Sequence, residues 1–339
     1  MKFTGSILFT FALVKILIIR FSSIGDIVLT SPIIRCVKQQ VKNVEVHFIT
    51  KKQFGNILVN NPCIDKLYTI EKYISEVSTE LKKENYDFVI DLHHNLRSAQ
   101  LKSILGKKTK SFHKLNIEKW LMVNLRINKL PGVHIVDRYF ETVKTLGVKN
   151  DGKGLDYFIP SNDEVDIKTL PSEFHNGFIG FVIGAKFFTK QLPEEKIISI
   201  CKKIDQSIIL LGGKEDAEKG EIIKSKVTSH NIFNACGKYN LNQSASLVKQ
   251  AKEIITHDTG LMHIAAAFKK EIISIWGNTI PEFGMYPYYG KSEVRSQKSE
   301  VKNLSCRPCS KLGFSKCPKG HFKCMTEINE DEIVKFVQS

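Results

Sequence analysis

The chain has 339 residues, 42 % of them apolar and 25 % charged, a composition that excludes wholesale disorder and a collagen-like repeat. At roughly 100–200 residues per domain, this length predicts two domains, each able to bury a core. The net charge of +15 favours an anionic partner of some kind, and the lack of any run of eighteen uncharged apolar residues excludes a polytopic membrane protein.

Ile7 to Ile19 is apolar apart from Lys15, with Lys2 ahead of it, which is how a signal peptide begins. No small-residue cleavage site follows; Arg20 and then Ser22-Ser23-Ile24-Gly25-Asp26 do, the pattern of a buried strand entering a helix. Residues 1–14 are therefore read as an extension, either without a role in a cytoplasmic fold or acting as a weak membrane anchor, and Lys15–Arg20 as the first strand. Further strands are expected at Val44–Thr50, Lys66–Ile70 and Phe88–Asp91, with helices at Asp26–Gln40 and Tyr73–Glu84. Glycines and polar residues at Gly152–Pro160 mark a boundary between a domain at 15–155 and a second at 156–325. The second half alternates strands at Phe178–Ile183, Ser207–Leu211, Ile232–Ala235, Glu253–His257 and Glu271–Trp276 with helical stretches. Among these, Pro193–Ile204 sets Ile197, Ile198, Cys201 and Ile204 on one face, and 326–339 is a closing helix. Such alternation predicts βαβ units and parallel sheets: an α/β protein of two Rossmann-like domains facing a cleft, with its chemistry beyond the carboxyl ends of the strands.

Those strand ends are rich in functional groups. Asp26 falls in a first helical turn, where it either complements the helix dipole or offers a carboxylate to a substrate hydroxyl. Asp91-Leu92-His93-His94 gathers hydrogen-bonding groups, but adjacent side chains point apart, so a shared metal is not expected there. Gly184-Ala185-Lys186 and Thr189-Lys190 precede a helix and would suit a diphosphate, or else carry plain surface lysines. Gly212-Gly213-Lys214-Glu215-Asp216 offers an acid to ribose hydroxyls. Asp258-Thr259-Gly260 with His263 forms a turn into a helix of small residues, presenting backbone donors to an anion, or a plain turn with a core histidine. No G-x-G-x-x-G follows the first strand, and neither a P-loop nor H-E-x-x-H is present, which argues against dinucleotide oxidoreductases, kinases and zinc proteases.

Cys36, Cys63, Cys201 and Cys236 stand in apolar surroundings as reduced core residues. Cys306, Cys309, Cys317 and Cys324 run as C-x2-C-x7-C-x6-C with His321 nearby, which is either a small structural zinc site or a set of reduced thiols. The basic residues are not interleaved with aromatic ones, so no nucleic-acid partner is expected.

Together the motifs resemble glycosyltransferase family 9, the ADP-heptose:lipopolysaccharide heptosyltransferases. The resemblance is carried by Leu17-Ile18-Ile19-Arg20-Phe21-Ser22-Ser23-Ile24-Gly25-Asp26 with Thr30 and Pro32, the Gly-Ala to Thr-Lys-x-x-Pro turn, the Gly-Gly-x-Glu turn and Asp-Thr-Gly-Leu-x-His, in order over about residues 15–330. It implies a GT-B architecture and a metal-independent, inverting transfer of heptose from ADP-heptose to the lipopolysaccharide inner core. The nucleotide sugar serves as substrate, no cofactor is required, and the enzyme works in the cytoplasm or peripherally on the anionic inner-membrane surface. By the same resemblance Asp26 is the general base, reaching in from the first domain as the cleft closes, and Lys190 is the basic residue at the donor phosphates. Glu215 (or Asp216) is the acid at the ribose, and Gly184, Thr189, Asp258, Thr259, Gly260 and His263 complete the donor site. Leu192 replaces an aromatic common in the family, and Asn278-Thr279 departs from its Gly-Pro-Thr turn, which leaves the donor sugar open. A sugar-nucleotide epimerase, or a transferase using another donor, are the alternatives.

Overall fold

The computed structural model describes residues 13–228 and 231–339; residues 1–12, most of the expected extension, lie outside them. The chain forms two compact units. The first comprises the described residues up to Ser22 together with Ile33–Phe112 and Tyr139–Asn150; the second comprises Ser23–Pro32, His113–Arg138 and Asp151–Ser339. The chain thus passes to the second unit after Asn150, near the expected boundary, but two earlier segments already belong there. The Ser31 hydroxyl accepts from the Asp156 amide at 2.8 Å, tying down the first segment. In the second, the His134 ring bonds the Tyr286 carbonyl at 2.9 Å and the Ile135 amide donates to Gly284.

The first unit is built on five parallel strands, β1 (Val14–Ile19), β2 (Val44–Lys51), β3 (Lys66–Ile70), β4 (Phe88–Asp91) and β5 (Thr109–Ser111), in the order β3-β2-β1-β4-β5. Leu17 and Ile19 point to one face, into a core with Leu81, Leu101 and Leu105 from the covering helices. Ile16 and Ile18 point to the other and are equally buried, so the sheet is covered on both sides, as parallel sheets require. The helix expected over Asp26–Gln40 is two helices, Ile24–Val28 and Ser31–Gln40. Pro32 has no N–H to give the Val28 carbonyl, which the Ser31 hydroxyl takes instead at 2.8 Å, while the Thr30 hydroxyl takes the Ile27 carbonyl at 2.6 Å.

The second unit holds six parallel strands: β6 (Ile179–Val182), β7 (Ile208–Leu211), β8 (Ile232–Asn234), β9 (Glu253–His257), β10 (Glu271–Trp276) and β11 (Ser296–Glu300). Their order is β11-β10-β9-β6-β7-β8. The helix at Glu194–Lys203 buries Ile197, Ile198, Ile200 and Cys201 in a core shared with Ile333, Phe336 and Val337 of the closing helix, Glu330–Gln338. Both β5 and β11 escaped the sequence reading, because they are short polar edge strands with only one side chain buried between them, Ser299.

Candidate active site

In the second unit the chain runs β6-β7-β8 outward on one side and then returns to place β9 on the other side of β6. The strand order reverses between β6 and β9, where parallel sheets open a crevice beyond their carboxyl ends. The turns after β6, β9 and β10 meet there. Lys190, in the turn after β6, sets its ammonium 2.5 Å from Asp258 Oδ2 just past β9, and the Thr279 hydroxyl, past β10, donates to the same oxygen at 3.1 Å. Lys190 and Asp258 keep only 15 % and 13 % of their side-chain surface, so the pair is shielded yet reachable from the crevice.

Thr259 caps the helix Gly260–Ala267, its hydroxyl oxygen buried and with no hydrogen-bond partner among the described residues. The amino end of this helix, where the first backbone N–H groups have no acceptor within the helix, lies beside the Lys190–Asp258 pair, an arrangement suited to a phosphate. His263 is buried on this helix, and a Cβ on Gly25 would lie 2.4 Å from its ring. Gly260 meets Ile24 in the same way, at 2.7 Å from its Cγ2. Two missing side chains therefore let the helix carrying Asp26 abut the start of the helix after β9. Burial drives the His263 pKa down to about 4, outweighing the pull of Asp258 and Asp26, and Lys190 adds to the fall. The imidazole is neutral at physiological pH and fills the Gly25 notch, where the sequence allowed either a ligand contact or a core role.

Asp26 Oδ2 accepts from the Ser23 hydroxyl at 2.7 Å and from the Ser23 amide at 3.2 Å, which fixes the carboxylate over the first turn of its helix. Since residues 23–32 belong to the second unit, Asp26 is mounted on the same body as Lys190 and Asp258. The sequence reading puts this segment in the domain at 15–155; here it groups with the second unit.

Beyond β7, Asp216 is buried and accepts from the Gly213 amide at 2.9 Å. A Cβ on Gly184 would lie 2.0 Å from Asp216 Oδ2, so that glycine is required by the aspartate beneath it. Burial pushes the Asp216 carboxyl up, partly offset by the Gly213 amide. Glu215 is exposed, with its carboxylate folded over Gly213, and is the acid of the two that a ligand can reach. Thr189 is buried, and its hydroxyl accepts from the Phe314 amide at 2.8 Å, clasping the cysteine-bearing segment.

Residues 74–312 match the model of glycosyltransferase family 9 (heptosyltransferase), well over half of the chain. The chain belongs to that family. It is 27 % identical over 96 % of its length to lipopolysaccharide heptosyltransferase 1 of Campylobacter coli, covering 98 % of that protein. Among solved structures it is similar to a family 9 glycosyl transferase from Veillonella parvula, with a TM-score of 0.75, 21 % identity and 96 % of both chains covered. It is also similar to the E. coli heptosyltransferase WaaC with ADP, with a TM-score of 0.66, 19 % identity and coverage of 96 % and 99 %. The two parallel α/β units are those of the GT-B architecture.

Within this family 9 chain, sequence reasoning noted Thr279 only as part of an altered turn and missed its bond to Asp258, formed between turns 21 residues apart, and it missed the notch role of Gly25. The signal for Thr279 was its place three residues past β10, in line with the other strand ends. None of the eight cysteines is joined in a disulfide. Cys306 Sγ lies 3.7 Å from His321 Nε2, and burial raises Cys309 to about 11 and Cys324 to about 12. No group of three or more His, Cys, Asp or Glu among the described residues is arranged to hold a metal ion, and no chemical step is routed through one. No helix among the described residues is long and apolar enough to cross a membrane.

Proposed function

We propose that this enzyme transfers a heptose from ADP-heptose to a hydroxyl of the lipopolysaccharide inner core, in one inverting displacement at the anomeric carbon. The observation that carries this reading is the meeting of Lys190, Asp258, Thr279 and the amino end of helix 260–267 at the strand-order reversal, with Asp26 on a helix abutting that end. The acceptor oxygen forms its bond to the anomeric carbon as the bond from that carbon to the diphosphate oxygen breaks. Asp26 takes the hydroxyl proton, held for this by its Ser23 contacts. ADP departs with the bonding pair, and its growing charge is met by Lys190 and the helix N–H groups, which supply what a divalent cation supplies in other transferases. Asp258 and Thr279 keep the Lys190 ammonium at the crevice until phosphate arrives, and Glu215 binds the ribose hydroxyls with Asp216 supporting its turn. The E. coli neighbour whose structure contains ADP, and relatives named as lipopolysaccharide heptosyltransferases, favour this donor and acceptor. The acceptor places the enzyme in the cytoplasm, at the anionic face of the inner membrane.

The test is nucleotide release from ADP-, UDP- and GDP-sugars with and without truncated lipopolysaccharide. ADP-heptose is expected to be consumed only when acceptor is present. Acceptor-independent turnover would give the site to an epimerase, and turnover of another nucleotide sugar would keep the fold and change the donor.

A further inference from the structure

The helix Asn116–Leu125 has no buried residue. Three of its apolar side chains face outward, Ile117 at 73 % exposed, Trp120 at 55 % and Leu125 at 53 %, while Leu121, Met122 and Val123 are half-buried; in the loop that follows Ile127 and Val133 keep over 40 %. Ile117, Trp120 and Asn124 fall at three- and four-residue steps, so one face of the helix is turned to solvent and two of its three side chains are apolar. Arg126 donates to the carbonyls of Ser305 and Pro308 at 3.1 and 2.7 Å, which fastens the end of the helix to the second unit and leaves the apolar face outward. Over residues 113–133 the chain carries four cations, Lys114, Lys119, Arg126 and Lys129, against one carboxylate, Glu118.

We propose that this helix and its loop dock the enzyme on an anionic lipid bilayer. A tryptophan beside aliphatic residues with lysines around them is the composition that seats in the headgroup region, the indole at the interface and the ammonium groups among lipid phosphates. At 1.5 Å per residue the helix is about 15 Å long, half the thickness of the hydrocarbon core, so it lies in the surface and does not span it. The chain's +15 charge draws the whole molecule to the same surface. The inference deepens the reading of a membrane-borne acceptor and rests on it for its purpose.

Its test needs neither donor nor acceptor. The chain has two tryptophans, and Trp276 is 1 % exposed, so a change of emission on adding vesicles reports Trp120. With vesicles of equal phosphatidylglycerol and phosphatidylcholine, the unmodified protein is expected to co-sediment and its emission to shift to the blue. With phosphatidylcholine alone neither should occur. The triple variant Ile117→Ser, Trp120→Ser, Leu125→Ser should lower partitioning onto the anionic vesicles at least about tenfold. The same variant should keep transfer to a soluble, de-acylated acceptor within about twofold. Absence of both binding and shift in the unmodified protein overturns the proposal, as does undiminished binding by the variant. Equal loss of de-acylated transfer would assign the face to acceptor recognition instead. Because the vesicles carry no sugar, failure of the transferase reading would leave the binding result standing.

Discussion

The turn after β4 and the turn after β9 follow one local plan: a buried parallel strand, an aspartate at its end, and a helix beginning within a few residues. Their surroundings separate them. Asp91 is fully buried and accepts from the His93 and His94 amides at 3.0 and 2.7 Å, from the Ser98 hydroxyl at 2.9 Å, and from the Lys102 ammonium at 2.8 Å. Burial pushes its pKa up, but Lys102, the His94 amide and Ser98 outweigh that and hold it low. Asp258 keeps some exposure and bonds two side chains from other strand ends, Lys190 and Thr279. A carboxylate whose donors come mostly from its own turn and helix, with the Ser111 hydroxyl of β5 added at 3.2 Å, builds that turn. One whose partners come from two other strand-end turns sits where a ligand can join them, and local sequence does not tell the two apart.

The contrast breaks most severely at Asp26, another carboxylate of the second unit. Asp26→Asn is expected to lower kcat by about 10²–10⁴ while leaving ADP binding by calorimetry unchanged. A loss confined to stability, with kcat kept, would reduce Asp26 to a capping residue. Next is Lys190→Ala, for which kcat should fall by about 10²–10³, with partial recovery in Lys190→Arg because the charge returns in a different shape.

Acidification sharpens the comparison between the units. His263 has a folded pKa of about 4, and His257 and His134, in the same unit, of about 3, all three lowered chiefly by burial, against roughly 6.5 when unfolded. The unfolded chain binds more protons in this window, so their contribution is complete above pH 6.5 and is lost as pH falls towards 4. For His263 alone the loss is on the order of 3 kcal/mol. Hydrogen exchange at pH 5 should show the amides of β6, β9 and β10 losing protection before those of β1 and β4; the reverse order would count against neutral burial of these rings.

Asp91→Asn should cost about 2–3 kcal/mol of stability, since Lys102 loses its counter-charge in a mostly buried place, and should leave kcat of the folded fraction nearly unchanged. A large kcat loss with the stability kept would put Asp91 in the chemistry and erase the distinction. Last is Gly25→Ala, whose methyl must displace the His263 ring. About 1–3 kcal/mol of destabilisation is expected in denaturant titration, with a fall in kcat because Asp26 moves with the helix.

Much of the fold was legible because parallel strands buried on both faces are near-continuous apolar runs. Glu253–His257 and Glu271–Trp276 were placed to the residue for that reason. The edge strands β5 and β11 carry no such run. The break at Leu29-Thr30 was signalled by Pro32, but apolar periodicity across it hid the signal. At the site, residue types at strand ends could be read one by one; which of them touch could not.

The sequence by itself determined the alternation of strands and helices, the strand ends that carry polar groups, and the family, since these depend on residue type and short spacing. Tertiary structure alone decided that Asp26 belongs to the same body as Lys190 and Asp258, and that Glu215 is open while Asp216 is buried. It also decided that Thr189 clasps the chain and that Ile117 and Trp120 face outward. Each of these turns on which atoms from distant segments share a few ångströms. The clearest case is the Gly25 notch, where a missing side chain has meaning only because His263, 238 residues later, comes to fill it.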